Sequence, residues 1–131
     1  MKFLHSMIRV RDINASLKFY GDLLGLKLIS KSSLEDCDLY FLSDDENSCQ
    51  IELTYNYETP ENGYVNGNAF GHFAFATDDL NLFTEKLLSL GYEYLYEPFS
   101  LELKDENGNS SYKKIAFVND PDGNEIEIIQ E

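Results

Sequence analysis

Short runs of alternating apolar and polar residues recur along this chain, interrupted by two stretches with helical spacing. From Lys2 to Val10 the alternation predicts a strand, with Leu4, Ile8 and Val10 on one face and His5, Met7 and Arg9 on the other. A helix is expected over Asp12–Leu24, with Asp12 as N-cap, Gly25 just past its end, and Leu17, Tyr20 and Leu24 facing inward. Strands follow at Leu26–Ser30, Asp38–Leu42 and Cys49–Tyr55, and Tyr57–Phe70, with Pro60, Gly63 and Gly67, has the composition of a linker. Beyond it come a strand at Gly71–Thr77, a helix over Leu80–Leu90 burying Leu80, Phe83 and Leu87, and a strand at Glu93–Tyr96. The polar stretch Ser100–Tyr112 is expected to be a long hairpin loop. Strands at Lys113–Val118 and Glu125–Ile129 close the chain, joined by the turn Asp120-Pro121-Asp122-Gly123.

The two halves share one plan. HSMIRVRDINASLKFYGDLLGLKLI, beginning at His5, and HFAFATDDLNLFTEKLLSLGYEYL, beginning at His72, both open with His on a strand, reach Asp-(Ile/Leu)-Asn, and end a helix at Leu-Gly. One deletion aligns Gly25 with Gly91, and each half ends on a matching strand, QIELTYN and EIEIIQE. The order strand, helix, then two or three strands, repeated, is an internal duplication of α+β type. One domain of two modules, 1–56 and 71–131, joined by linker 57–70, is expected.

Composition narrows the function classes. With 24 acidic against 10 basic residues the net charge is −14, which argues against nucleic-acid phosphates and anionic lipid as partners. No apolar run approaches the ~18 residues that suggest a membrane span. Cys37 and Cys49 lack CxxC spacing and are expected to be reduced thiols of a soluble, cytoplasmic protein.

The polar strand faces carry the chemistry. His5 and His72 are the only histidines and occupy equivalent repeat positions, as do Glu52 and Glu127 on the closing strands. If the duplicated units pair about a pseudo-twofold axis, two His and two Glu converge. Mixed imidazole and carboxylate donors suit Zn, Ni, Co, Mn or Fe better than Ca or Mg.

Across most of its length the chain resembles the glyoxalase I (lactoylglutathione lyase) family of the vicinal oxygen chelate superfamily. The resemblance rests on LHSMIRVRDINASLKFYGDLLGLKL, IELTYN, GHFAFATDD and IAFVNDPDGNEIEII. It implies paired βαβββ modules forming a cupped mixed sheet around one metal, held by His5, Glu52, His72 and Glu127. It further implies isomerisation of the methylglyoxal–glutathione hemithioacetal to S-lactoylglutathione. Glu127 is the expected catalytic base, and Glu52 a ligand and second candidate base. Arg9 falls on the family's glutathione-carboxylate arginine and Asn56 on its partner; Thr54 lies on the same strand face as Asn56. The compact length resembles nickel- or cobalt-activated members rather than the insertion-bearing zinc forms, and the family is usually homodimeric.

Two positions depart from the family. Tyr57 stands where Trp is common, and the Phe99–Lys113 segment is longer, acidic and Asn-rich, with Lys104, Lys113 and Lys114 as its cations. Rival readings are another metal-dependent isomerase, epimerase or thiol-conjugate enzyme of the superfamily, and a metal-free drug-binding module. Epimerase relatives carry Gln at the position of Glu52.

Overall fold

Both helices start where an Asp side chain can accept backbone N–H groups that the first turn leaves unpaired. Asp12 accepts from Ala15 N at 3.0 Å, and Asp79 accepts from Asn81 N at 2.7 Å and Leu82 N at 3.4 Å. Both helices end on a glycine with positive φ, Gly25 at 79° and Gly91 at 82°, a left-handed conformation that costs glycine little. In between they differ. The computed structural model, which describes residues 1–131, shows α1 (Ile13–Leu17) continuing as a π-helix over Lys18–Leu23, whereas α2 (Leu80–Ser89) is α-helical throughout.

The wider winding has a cause in the sequence. From cap to glycine the first helix contains one residue more than the second, so the same two ends are joined by a longer path. The closing bond shows it: Tyr92 N donates to Leu87 O five residues back, whereas Leu26 N reaches Tyr20 O six residues back. A π turn, with i→i+5 bonding, takes up the surplus. It also turns the helix, so the buried residues are Ser16, Phe19, Tyr20 and Leu23. Leu17 and Leu24, expected inward from regular spacing, are only half-buried.

The chain divides into two compact units, residues 1–67 and 68–131. The first contains β1 (His5–Arg9), β2 (Lys27–Ser33), β3 (Cys37–Ser43) and β4 (Gln50–Asn56), in sheet order β1-β4-β3-β2. The second contains β5 (His72–Thr77), β6 (Tyr96–Lys104), β7 (Ser110–Asn119) and β8 (Glu125–Gln130), in the order β5-β8-β7-β6. The first and last strands of each unit pair in parallel and the other neighbours antiparallel, so each sheet is mixed. One face of each sheet is apolar and buried. Leu42 and Leu53 share a core with Phe19, Tyr20 and Leu23 in the first unit, and Ile126 and Ile128 with Leu80 and Leu87 in the second. The opposite face is left for polar side chains. Each unit is thus a βαβββ module.

The segment Ser100–Tyr112 is not a long loop. β6 runs to Lys104 and β7 starts at Ser110, so only Asp105–Asn109 forms the turn. Alternation of Leu101 and Leu103 with Glu102 carries the strand through the polar composition. Of the expected strand Glu93–Tyr96 only Tyr96 belongs to β6, although Leu95 N already donates to Phe117 O on β7 at 2.8 Å. The turn repeats the one between β7 and β8. Asp105 accepts from Asn107 N, Asn109 N and Asn109 Nδ2, as Asp120 does from Asp122 N, Asn124 N and Asn124 Nδ2. Asp120 is buried and Asp105 exposed. Asp120→Ala should therefore lower unfolding stability in urea by about 2–3 kcal/mol, since it leaves buried donors unpaired. Asp105→Ala, with the same bonds in water, should shift the midpoint much less.

Candidate metal centre and substrate-facing strands

Parallel pairing of β1 with β4 sets the polar face of the first unit. His5 stands opposite Gln50, Met7 opposite Glu52 and Arg9 opposite Thr54, so His5, Met7, Arg9, Glu52, Thr54 and Asn56 share one face. Glu52 reaches back along the strand, and its Oε2 lies 3.0 Å from His5 Nε2. Its other oxygen, Oε1, accepts a hydrogen bond from Thr54 Oγ1 at 2.9 Å. Glu52 and Thr54 are both buried, at 8% and 4% exposure. Phe41, directly opposite Glu52 on β3, presents an edge-on ring contact to His5 with centroids 5.3 Å apart.

The second unit repeats the arrangement. His72 is opposite Glu125, and Glu127 Oε2 reaches back to His72 Nε2 at 3.1 Å. Phe117, opposite Glu127, makes the matching edge contact with His72 at 5.6 Å. The two phenylalanines were not picked out from the sequence. Their signal was present, since Phe-Leu-Ser-Asp and Phe-Val-Asn-Asp occupy the same repeat position one strand before each glutamate. The likeness ends at the next inward position: where the first unit has Thr54, the second has Ile129.

Each unit therefore brings together one imidazole and one carboxylate, and no third His, Cys, Asp or Glu joins either pair within its unit. A nitrogen donor and an oxygen donor already within 3.1 Å of each other suit a divalent transition ion better than a hard cation that prefers oxygen alone. Each pair thus offers two donors of the kind such an ion takes.

The remaining expected site residues lie along the same face of the first unit. Arg9 is exposed and makes no ion pair despite the chain's acidity. Asn56 ends β4 opposite Cys37, and Tyr64 OH donates to Asn56 Oδ1 at 3.4 Å. Burial and the neighbouring Asp36 push the Cys37 thiol up, which keeps it protonated; both cysteines are free. Beyond Asn56 an open cavity of about 740 Å³ is lined by Glu35, Asp36, Asn56, Tyr57 and Glu58. Tyr57, the departure from Trp, donates to Asp38 Oδ1 at 2.8 Å, and bonds from Ser33 and Tyr57 hold the Asp38 carboxyl below its usual range. In the second unit only Lys113 of the three hairpin lysines shares the face of Glu127, and it lies 3.6 Å from Glu131; Lys104 and Lys114 point to the opposite face.

Comparison with known proteins gives a consistent picture. Residues 2–128 match the family model of the Glyoxalase/Bleomycin resistance protein/Dioxygenase superfamily. The chain is 38% identical to a lactoylglutathione lyase of Haemophilus influenzae, covering 99% of this chain and 93% of that protein. It is also 38% identical to a probable lactoylglutathione lyase of Synechocystis, over 99% and 95%. Among solved structures, glyoxalase I from Zea mays superposes with a TM-score of 0.80 at 34% identity; the match covers 99% of this chain but only 44% of the maize chain. A trypanothione-dependent glyoxalase I of Leishmania major superposes with a TM-score of 0.72 at 32% identity, over 100% and 87%.

The edge contact of each phenylalanine restrains its imidazole. Aromatic pairs of this geometry are worth about 0.5–1.5 kcal/mol. Phe41→Leu and Phe117→Leu should therefore each weaken binding of a divalent transition ion by about threefold to tenfold, measured by titrating metal-stripped protein calorimetrically.

Proposed function

This chain belongs to the Glyoxalase/Bleomycin resistance protein/Dioxygenase superfamily, and we propose that within it the chain is a glyoxalase I. It would isomerise the methylglyoxal–glutathione hemithioacetal to S-lactoylglutathione in methylglyoxal detoxification. The observation that carries the reading is the duplicated His–Glu pair, with a carboxylate in both units and nearly identical spacing. Similarity to lactoylglutathione lyases over almost the full length supports the same activity. The two units would act as one domain, and His5, Glu52, His72 and Glu127 would serve one metal. That donor set could be drawn from a single chain or from two copies in a homodimer. Nickel is the favoured ion, cobalt next and zinc third. A cytoplasmic location fits this chemistry, since methylglyoxal and reduced glutathione are both met there.

When bound, the metal would supply Lewis-acid stabilisation of the charge that develops on the substrate's oxygens. The residues do the rest. Glu127 takes the proton from the hemithioacetal carbon and returns it to the adjacent carbon, a shuttle that a single carboxylate can perform if it faces both. His5 and His72 would join Glu52 and Glu127 in holding the metal, and the phenylalanine beside each imidazole restrains its ring. Arg9, free of ion pairs, offers a fork of donors for a substrate carboxylate, with Asn56 on the same face adding an amide. Lys113, on the face of Glu127, is paired with Glu131 at 3.6 Å.

A second reading concerns the thiol alone. Three carboxylates, Glu35, Asp36 and Glu58, line the cavity beside Asn56. That lining favours a thiol bearing a cationic group over a dicarboxylate, and one structural relative is trypanothione-dependent.

The direct test is turnover of the preformed methylglyoxal–glutathione hemithioacetal by metal-stripped protein, with Ni, Co and Zn added back separately. Activity should vanish on stripping and return best with nickel. Glu127→Gln should lower kcat by about 10²–10⁴-fold, the usual contribution of a positioned base. Arg9→Lys should raise KM about tenfold while kcat changes little, because a point charge replaces a bidentate fork. If an amine-bearing thiol adduct gives a higher kcat/KM than the glutathione adduct, the second reading of the thiol replaces the first. No turnover of either adduct with any metal would remove the function.

A further inference from the structure

The two glutamates of the site are held differently, and the difference lies in one side chain. Glu52 is fixed at both oxygens: Oε2 to His5 Nε2 at 3.0 Å and Oε1 to the Thr54 hydroxyl at 2.9 Å. Glu127 has only the His72 contact at 3.1 Å, because Ile129 stands where the first unit has Thr54. The edge-on phenylalanine beside each histidine is duplicated. Thr54 sits at 4% exposure and spends its only hydroxyl proton on Glu52. It therefore has no donor left for a substrate.

Resting on the reading of the pairs as metal ligands, we propose that Thr54 is a positioning residue that locks Glu52 as a permanent ligand, and that the apolar Ile129 is what leaves Glu127 free to swing. The Thr54 hydroxyl bonds the Glu52 oxygen that does not face His5, so that bond would persist when a metal takes the place of the His5 contact and would fix the rotation of the carboxylate. Glu127 would have no such second restraint. A proton shuttle needs that freedom at one glutamate; a stable metal site needs its absence at the other. The duplicated fold obtains both from a single difference in side-chain chemistry. Partners of this kind, bonded to a metal ligand's second atom, typically change metal affinity by about 10–100-fold.

The test uses full-length protein with Co²⁺ as probe, followed by its visible absorption and by calorimetric titration. Thr54→Val keeps the shape and removes the donor; Thr54→Ser keeps the donor. Co²⁺ should bind Thr54→Val about 10–100-fold more weakly than wild type, and Thr54→Ser within about threefold of it, with the wild-type spectrum. Ile129→Thr should give Glu127 the missing restraint, lowering kcat at least several-fold while KM and Co²⁺ affinity hold. Wild-type affinity and spectrum in Thr54→Val, or equal losses in Val and Ser, would overturn the proposal. So would wild-type kcat in Ile129→Thr. A wild-type protein that binds no Co²⁺ would instead overturn the underlying metal reading, so the two failures are distinct.

Discussion

Everything at this site depends on the parallel pairing of the first and last strands of each unit. Parallel register places His5 opposite Gln50 and His72 opposite Glu125, so in both units the glutamate lies two positions further on and reaches back diagonally. A shift of one residue would turn each glutamate to the buried face. The register is held from the other side of the sheet, where Ile51 and Leu53, or Ile126 and Ile128, must meet the helix. Core packing on one face thus fixes chemistry on the other.

Duplication supplies the symmetry, and small departures from it supply the function. The first unit has Arg9, Thr54 and Asn56 on its polar face; their counterparts in the second unit are Ala76, Ile129 and Glu131. The arginine and the amide therefore lie on one unit, and the carboxylate with fewer bonds on the other. The surplus residue in the first helix departs from the repeat too, but a π turn absorbs it before Gly25, so both helices still end on a left-handed glycine.

Much of this was legible in the sequence because it is carried by local patterns. His5 and His72 could be placed on one strand face by alternation, and Asp12 and Gly25 mark the ends of the first helix by their chemistry. What could not be read depends on register or on winding. The Thr54–Glu52 bond needs both side chains on one face with the hydroxyl turned along the strand, whereas sequence alone made Thr54 a candidate for substrate. The Phe41 and Phe117 contacts need the alignment of a neighbouring antiparallel strand. In the first helix Tyr20 is buried as expected, but Leu23 takes the inward place expected of Leu24 because regular spacing does not hold across Lys18–Leu23. Ser100–Tyr112 misled for a different reason: its acidic, Asn-rich composition masked the alternation of Leu101 and Leu103 in an exposed hairpin.

The proposed function requires that the two His–Glu pairs serve one metal rather than two. Ion content per chain at saturation, compared between wild type, His5→Ala and His72→Ala, tests this most directly. One tightly held ion per chain is expected in the wild type and none in either variant, because each loss breaks the same donor set. Two ions per chain, each lost only with its own histidine, would contradict it.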